Sequence, residues 1–210
     1  MTKALIFDLG NVLVPFDFAR GYAELQQYCA LDPAEIRRRI SERRLAQRYE
    51  SGQTDSLTFY REMQEVLGVS IEYGEFCRIW NSVFYPQTNF DDRMMAALAA
   101  RYPLILLSNT NPIHFSMLRD NYPIFRHFHE LVLSYEVGAM KPAPAMYEEA
   151  LRRARCRPEE CFYTDDIAEY VEAARRHGID AVQFQSAGQI ERELRARGVE
   201  WDGAGRRPEG

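Results

Sequence analysis

A short run of four apolar residues near the start of the chain, at positions 4–7, is followed directly by Asp8. A run of this kind is typical of a strand that is buried on both faces of a parallel sheet. Gly10 and Asn11 then favour a turn. Ligands bind at the carboxyl ends of the strands in open parallel sheets, so Asp8 is a candidate site residue. The alternative is that Asp8 only ends the strand or caps the turn.

The second half of the chain alternates short apolar runs with segments of helical periodicity. The runs lie at 103–107, 131–133, 161–163 and 181–184. This alternation predicts an α/β fold with a doubly wound, Rossmann-like parallel sheet. The region between the first two runs carries no strand pattern and is predicted to be helical. We therefore predict a core formed by residues 1–16 and 88–202, an inserted α-helical cap at 17–87, and a flexible tail at 203–210.

One helix of the predicted cap has a well-marked start. Asp32 is a candidate N-cap, Pro33 fits the first helical position, and Glu35 is placed to complete a capping box. An arginine-rich continuation as far as Arg48 is predicted to belong to the same helix. Such a run usually forms a solvated face, and contact with an anionic substrate is the alternative.

Composition narrows the classes of function. The chain has 210 residues, enough for one domain with an insertion, and a formal net charge of -5, which argues against general nucleic-acid binding. The four cysteines are scattered and form no CxxC pair, which argues against a zinc site or a disulfide framework. Because we find neither a signal peptide nor an apolar run long enough to span a bilayer, we expect a cytoplasmic protein without membrane contact. The sequence does not indicate an oligomeric state.

Carboxylate, hydroxyl and ammonium side chains lie at the ends of the predicted strands or in the loops that follow them. If the strands are parallel, these side chains share one edge of the sheet. A carboxylate there can attack phosphorus, an acidic pair can hold Mg²⁺, and a hydroxyl and an ammonium can bind phosphoryl oxygens. The residues concerned are Asp8, Ser108, Lys141, Asp165 and Asp166.

This pattern resembles the haloacid dehalogenase superfamily, whose four motifs are matched by residues 7–12, 107–110, 141–142 and 163–166. The stretches FDLGNV, at 7–12, and YESG, at 49–52, are most similar to the branch that contains the α-D-glucose-1-phosphate phosphatase and the phosphatase domain of soluble epoxide hydrolase. The resemblance implies a Mg²⁺-dependent phosphatase that cleaves a small phosphorylated metabolite through an aspartyl-phosphate intermediate. The substrate class that it favours is a sugar phosphate.

The same resemblance implies a role for each motif residue. Asp8 is the nucleophile and a metal ligand. Ser108, Asn109 and Lys141 bind the phosphate, and Lys141 also orients Asp8. The remaining metal ligands are the backbone carbonyl of Gly10 and the side chains of Asp165 and Asp166, with Asp166 the stronger candidate for direct ligation.

Gly10 departs from the pattern of most phosphatases in the superfamily, which carry an acid/base Asp at that position. Asn11 can orient water there but cannot act as a base. Two alternatives therefore stay open, a 2-haloacid dehalogenase and a phosphate-binding protein without turnover. The acidic pair at 165–166 favours metal and phosphate over dehalogenation. Candidate residues for reading the leaving group are Phe16, Arg20, Arg44 and Arg48. His114 follows the second motif and is a candidate for a position near the cap.

Overall fold

The computed structural model describes residues 1–201, and a five-stranded parallel sheet forms its centre. The spatial order of the strands is β3-β2-β1-β4-β5, so the first strand occupies the middle. The strands are β1 (Ala4–Phe7), β2 (Leu104–Ser108), β3 (Glu130–Leu133), β4 (Cys161–Asp165) and β5 (Asp180–Gln183). This arrangement confirms the predicted α/β fold, with β4 reaching two residues further than expected.

Side chains of the central strand alternate between two hydrophobic clusters. Leu5 and Phe7 belong to one cluster, and Ala4 and Ile6 belong to the other. All four are fully buried, as the apolar run predicts for a strand that is covered on both faces. The chain passes from β1 to β2 on one side and later to β4 on the other, so Asp8 follows β1 at the point where the winding reverses.

The eleven α-helices within residues 1–201 fall into two groups: five that follow β1, and six that begin with the helix directly before β2. The first group is α1 (Phe18–Leu25), α2 (Pro33–Glu42), α3 (Leu45–Glu50), α4 (Ser56–Leu67) and α5 (Tyr73–Asn81). The second group is α6 (Asp92–Ala99), α7 (Pro112–Asn121), α8 (Ser134–Val137), α9 (Pro144–Ala154), α10 (Ala168–Arg176) and α11 (Ala187–Ala196). No helix within residues 1–201 is both long and apolar enough to cross a membrane.

Helices α1 to α5 contribute most of a third hydrophobic cluster, which includes Tyr49, Phe59 and Trp80. Tyr49 stacks on Phe59 with ring centroids 4.4 Å apart, and Trp80 meets the edge of Phe59 at 5.1 Å. The absence of strands from this region agrees with its predicted helical character. Its division from the core as a cap stays a prediction, and the predicted tail at 203–210 lies outside the described residues.

The arginine-rich helix differs from its prediction. It is two helices, because Arg44 adopts a left-handed conformation with φ of 51° between α2 and α3. Asp32 accepts the Glu35 N–H as an N-cap should, but the predicted capping box is wrong. The Glu35 carboxylate instead pairs with Arg38 and Arg39, since both guanidinium groups lie one helical turn away.

Candidate active site

A single buried cation joins two carboxylates at the carboxyl edge of the sheet. The Nζ atom of Lys141 lies 2.6 Å from Oδ1 of Asp8 and 2.6 Å from Oδ2 of Asp165. Lys141 also donates to the Leu107 carbonyl at 3.1 Å and contacts the Tyr163 hydroxyl at 3.3 Å. Motif residues at or beyond the ends of β1, β3 and β4 are thus brought into direct contact, because the strands are parallel and their carboxyl ends share one edge of the sheet.

Burial controls the ionisation of this cluster. It raises the pKa of Asp8 to about 7, although Lys141 acts to lower it. Burial lowers the pKa of Lys141, but Asp8 and Asp165 more than offset that effect, and the pKa is raised above its usual value. The ammonium group therefore stays charged and holds the two carboxylates in place.

The carboxylates of Asp8, Asp165 and Asp166 offer oxygen atoms that all lie within 4.8 Å of one another. Both oxygens of Asp165 are engaged within the protein, Oδ2 by Lys141 and the Tyr163 hydroxyl and Oδ1 by the backbone N–H of Ile167. The carboxylates of Asp8 and Asp166 are therefore more available than that of Asp165 to bind a metal ion. An all-oxygen donor set of this kind fits Mg²⁺, and the ligands predicted for it are Asp8, Asp165, Asp166 and the Gly10 carbonyl.

Asn11 fixes the position of Asp166. Its side-chain amide donates to Oδ2 of Asp166 at 3.1 Å, and its Oδ1 accepts the Phe16 N–H at 3.3 Å. The backbone of Asn11 has a φ of 56°, a left-handed conformation that Asn tolerates better than most residues. The pKa of Asp166 is raised by burial, while the hydrogen bond from Asn11 acts to lower it.

We predict that Asn11→Gly weakens Mg²⁺ binding by about tenfold to a hundredfold, the usual cost of losing a group that orients a metal ligand. Glycine keeps the left-handed backbone, so the change removes the amide contact without adding strain. Isothermal titration with Mg²⁺ measures the affinity directly. Unchanged Mg²⁺ affinity in a folded variant would show that Asn11 does not position Asp166.

The space beside Gly10 is filled by Phe16. A Cβ atom built on Gly10 would lie 2.6 Å from Cε1 of the Phe16 ring, so any side chain at position 10 requires that ring to move. Phe16 packs in turn against Phe18 at 5.2 Å and Phe84 at 5.9 Å. An aromatic ring therefore occupies the place next to the predicted nucleophile where most superfamily phosphatases carry the acid/base Asp.

Ser108 and Asn109 lie at and just past the carboxyl end of β2, as the sequence predicts. Ser108 is buried at the end of β2, and Asn109 lines a cavity that it shares with Asp8 and Lys141. The Asn109 side chain accepts the Lys141 N–H at 2.7 Å and donates to the Lys141 carbonyl at 3.1 Å. Asn109 thus holds the backbone of Lys141, and phosphate binding by Ser108 and Asn109 stays a prediction.

A cavity of about 560 Å³ opens above Asp8 and Lys141. Phe16 and Arg44 line it, which agrees with their candidate roles. Arg20 and Arg48 do not: Arg20 stacks on Tyr85 at 4.4 Å, and Arg48 binds Thr54 and Glu62, both at 3.1 Å. These partners direct the two guanidinium groups to other contacts, so their candidate roles are not supported.

His114 lines the cavity as a neutral imidazole. Burial lowers its pKa to about 4, although its hydrogen bond to the Trp80 carbonyl acts to raise it. Nε2 donates to that carbonyl at 2.9 Å, and Nδ1 accepts from the Asn111 amide at 3.0 Å. Both ring nitrogens are occupied, which makes His114 a packing residue of the wall rather than a proton donor.

Sequence reasoning missed the tyrosines that surround Lys141. The Tyr163 hydroxyl donates to Asp165, and the Tyr170 ring centroid lies 5.1 Å from the Lys141 ammonium. Tyr163 was open to prediction, because residues two apart in a strand project to the same face and Asp165 was already a candidate. Tyr170 follows β4 in helix α10, and no sequence signal indicates its contact.

Residues 2–178 match the family model of the haloacid dehalogenase-like hydrolases, and the chain belongs to this family. The predicted superfamily is therefore confirmed. The chain is similar to a D-ribitol-5-phosphate phosphatase of Bacteroides thetaiotaomicron, with 24% identity over 92% of this chain and 97% of that protein.

Solved structures share the fold. A HAD family enzyme from Bacteroides thetaiotaomicron, solved in complex with magnesium and inorganic phosphate, superposes with a TM-score of 0.78. It is 24% identical, and the match covers 89% of this chain and 96% of that one. An L-2-haloacid dehalogenase from Xanthobacter autotrophicus, with chloropropionic acid covalently bound, superposes with a TM-score of 0.61. It is 18% identical, and the match covers 95% of this chain and 85% of that one. Both establish the fold, and the first is the better match.

Proposed function

We propose that this protein is a Mg²⁺-dependent phosphatase that hydrolyses a small phosphorylated metabolite through an aspartyl phosphate on Asp8. The observation that carries the proposal is the cluster in which Lys141 bridges Asp8 and Asp165 beside Asp166 at the floor of a cavity. The matched family and the phosphatase relative support the reaction class. A sugar or sugar-alcohol phosphate is the substrate class that fits the relative's name.

The first step forms a bond between a carboxylate oxygen of Asp8 and phosphorus, while the bond from phosphorus to the leaving alcohol breaks. Water then attacks the same phosphorus, so inorganic phosphate leaves and the Asp8 carboxylate is restored. Lys141 holds Asp8 in position and offers positive charge to the transferred group. Bound Mg²⁺ would lower the repulsion between the carboxylate and the phosphate.

The leaving oxygen needs a proton that Gly10 cannot supply. His114 is neutral, and both of its ring nitrogens are hydrogen-bonded, so it does not take over this role. General acid–base help is typically a factor of roughly 10²–10⁴. An alcohol with a stable anion, such as an anomeric sugar hydroxyl, depends least on that help.

The two alternatives have weaker support. A 2-haloacid dehalogenase would not use Asp166 as a metal ligand, and the dehalogenase structure superposes less well than the magnesium-bound enzyme. A phosphate-binding protein without turnover has no use for a carboxylate held against a lysine at 2.6 Å. The cytoplasmic location stays a prediction.

Inorganic phosphate release tests the proposal. We expect release from sugar phosphates and from p-nitrophenyl phosphate with Mg²⁺, and its loss when a chelator removes the metal. Equal rates with and without chelator would contradict the metal assignment. Halide release from 2-chloropropionate in the absence of any phosphate release would replace the phosphatase by a dehalogenase.

A further inference from the structure

A polar stripe lines one wall of the cavity above Asp8. Its four members, spaced three residues apart from the end of α2 through α3, are Ser41, Arg44, Gln47 and Glu50. Gln47 and Glu50 are three apart and share one face of α3. Ser41, near the end of α2, and Arg44, at the break between the helices, line the same cavity. Their side chains make no hydrogen bond or ion pair with any residue in the range 1–201. Polar groups that converge on a cavity without partners are the groups that fix the orientation of a ligand.

An apolar wall made largely of aromatic rings lines the same cavity. Its members come from α1, α5 and the adjoining loops and are Phe16, Phe18, Tyr22, Trp80 and Phe84. A ligand in this cavity therefore meets hydrogen-bonding groups as well as apolar rings. A polyhydroxylated carbon chain or sugar ring matches both, since it carries hydroxyl groups along a skeleton of C–H groups.

Glu50 is held firmly at the end of the stripe. The preceding Tyr49 is fully buried, accepts the Ile113 N–H at 3.2 Å and is hydrogen-bonded to Ser56 at 2.7 Å. Two residues after Glu50, a Cβ atom on Gly52 would lie 2.3 Å from the Tyr135 carbonyl oxygen, and the φ of Gly52 is 71°. Only glycine permits this close approach to α8. The backbone on each side of Glu50 is thus anchored to residues that follow β2 and β3.

The carboxyl group of Glu50 is partly buried in the cavity wall and has no hydrogen-bond partner within residues 1–201. Burial raises its pKa to about 7, and no cation among the described residues is paired with it. A carboxyl group that faces a cavity without a protein partner can bond a ligand that enters the cavity. Glu50 is therefore poised to accept hydrogen bonds from a substrate.

We propose that Glu50 accepts hydrogen bonds from hydroxyl groups of the leaving alcohol and selects polyhydroxylated phosphate esters. The inference rests on the phosphatase function proposed above and names the group that reads its substrate. Glu50 acts on the alcohol portion, whereas Asp8 and Lys141 act on the phosphoryl group.

Charge on the cavity wall decides between the possible ligands of Glu50. A terminal carboxylate or second phosphate on the substrate would be repelled by Glu50. A terminal ammonium would meet the unpaired guanidinium of Arg44, which lines the same cavity. Uncharged hydroxyl groups suit both residues, because a hydroxyl donates to a carboxylate and accepts from a guanidinium.

The test compares D-ribitol 5-phosphate with p-nitrophenyl phosphate in the wild type and in Glu50→Gln, both with Mg²⁺. We expect the ratio of kcat/KM for the ribitol ester to that for the aryl ester to fall by about tenfold to a hundredfold, the usual effect of losing hydrogen bonds to a charged group. The loss should lie in KM, since these contacts are made equally in the ground and transition states. Glu42→Gln is the matched control, because Glu42 is an exposed residue of α2 that pairs with Arg38 away from the cavity.

The outcomes separate this inference from the function on which it rests. An unchanged ratio in Glu50→Gln would overturn the role of Glu50 while leaving the phosphatase function intact. If the wild type releases phosphate from neither ester, the proposed function and the inference both fail.

Discussion

Replacing Asp8 with Asn is expected to reduce phosphate release by roughly 10⁴-fold or more, as the loss of a catalytic nucleophile does in other hydrolases. The amide cannot form the acyl phosphate, so neither step of the reaction proceeds. Lys141 keeps its contact with Asp165 at 2.6 Å, so we expect the variant to fold. Steady-state assays, with circular dichroism to verify folding, measure both effects.

Asp17→Asn is the matched control for that variant. Asp17 is an exposed N-cap of α1 that accepts the Ala19 N–H, and Asn caps helices as well as Asp does. Its activity should equal that of the wild type. Full activity in Asp8→Asn would remove Asp8 from the mechanism and with it the proposed covalent intermediate.

Replacing Lys141 with Met is expected to lower the free energy of unfolding by about 3–5 kcal/mol and to abolish activity. The change leaves the carboxylates of Asp8 and Asp165 buried, close together and without a cation, and breaking a buried ion pair on one side typically costs that much. Denaturant unfolding in the presence of a chelator measures the loss without compensation by a bound metal.

A second variant separates the charge effect from the loss of packing. Adding Asp165→Asn to Lys141→Met removes one of the two unpaired carboxylates, and we expect it to restore part of the lost stability. A Lys141→Met protein as stable as the wild type would show that the ammonium group does not hold the cluster together.

The sheet and the cluster at its edge were accessible from the sequence for one physical reason. Parallel strands bring their carboxyl ends to one edge, so apolar runs that each end in a polar residue predict which side chains meet. The contact between Asp8 and Lys141, 133 residues apart in the chain, follows from that rule. Its atomic detail does not, because the distances depend on the packing of all the strands.

The cavity walls were much less predictable. Arg44 breaks a helix without the Gly or Pro that usually marks such a point, because surrounding packing rather than local propensity imposes its conformation. The Phe16 ring beside Gly10 and the carboxylate of Glu50 reach the site from different elements. Their convergence is a property of the tertiary structure, on which the sequence pattern of a single helix or loop carries little information.

The central claim is that Asp8 is phosphorylated during turnover, and a trapping experiment tests it most directly. The protein is quenched in acid while it hydrolyses D-ribitol 5-phosphate with Mg²⁺, treated with borohydride, and digested with trypsin. An acyl phosphate is reduced by borohydride to an alcohol, so the peptide of residues 4–20 should contain homoserine at position 8. Homoserine is expected at that position only when substrate and Mg²⁺ are both present. Turnover with an unmodified Asp8, or with the modification at another carboxylate, would contradict it.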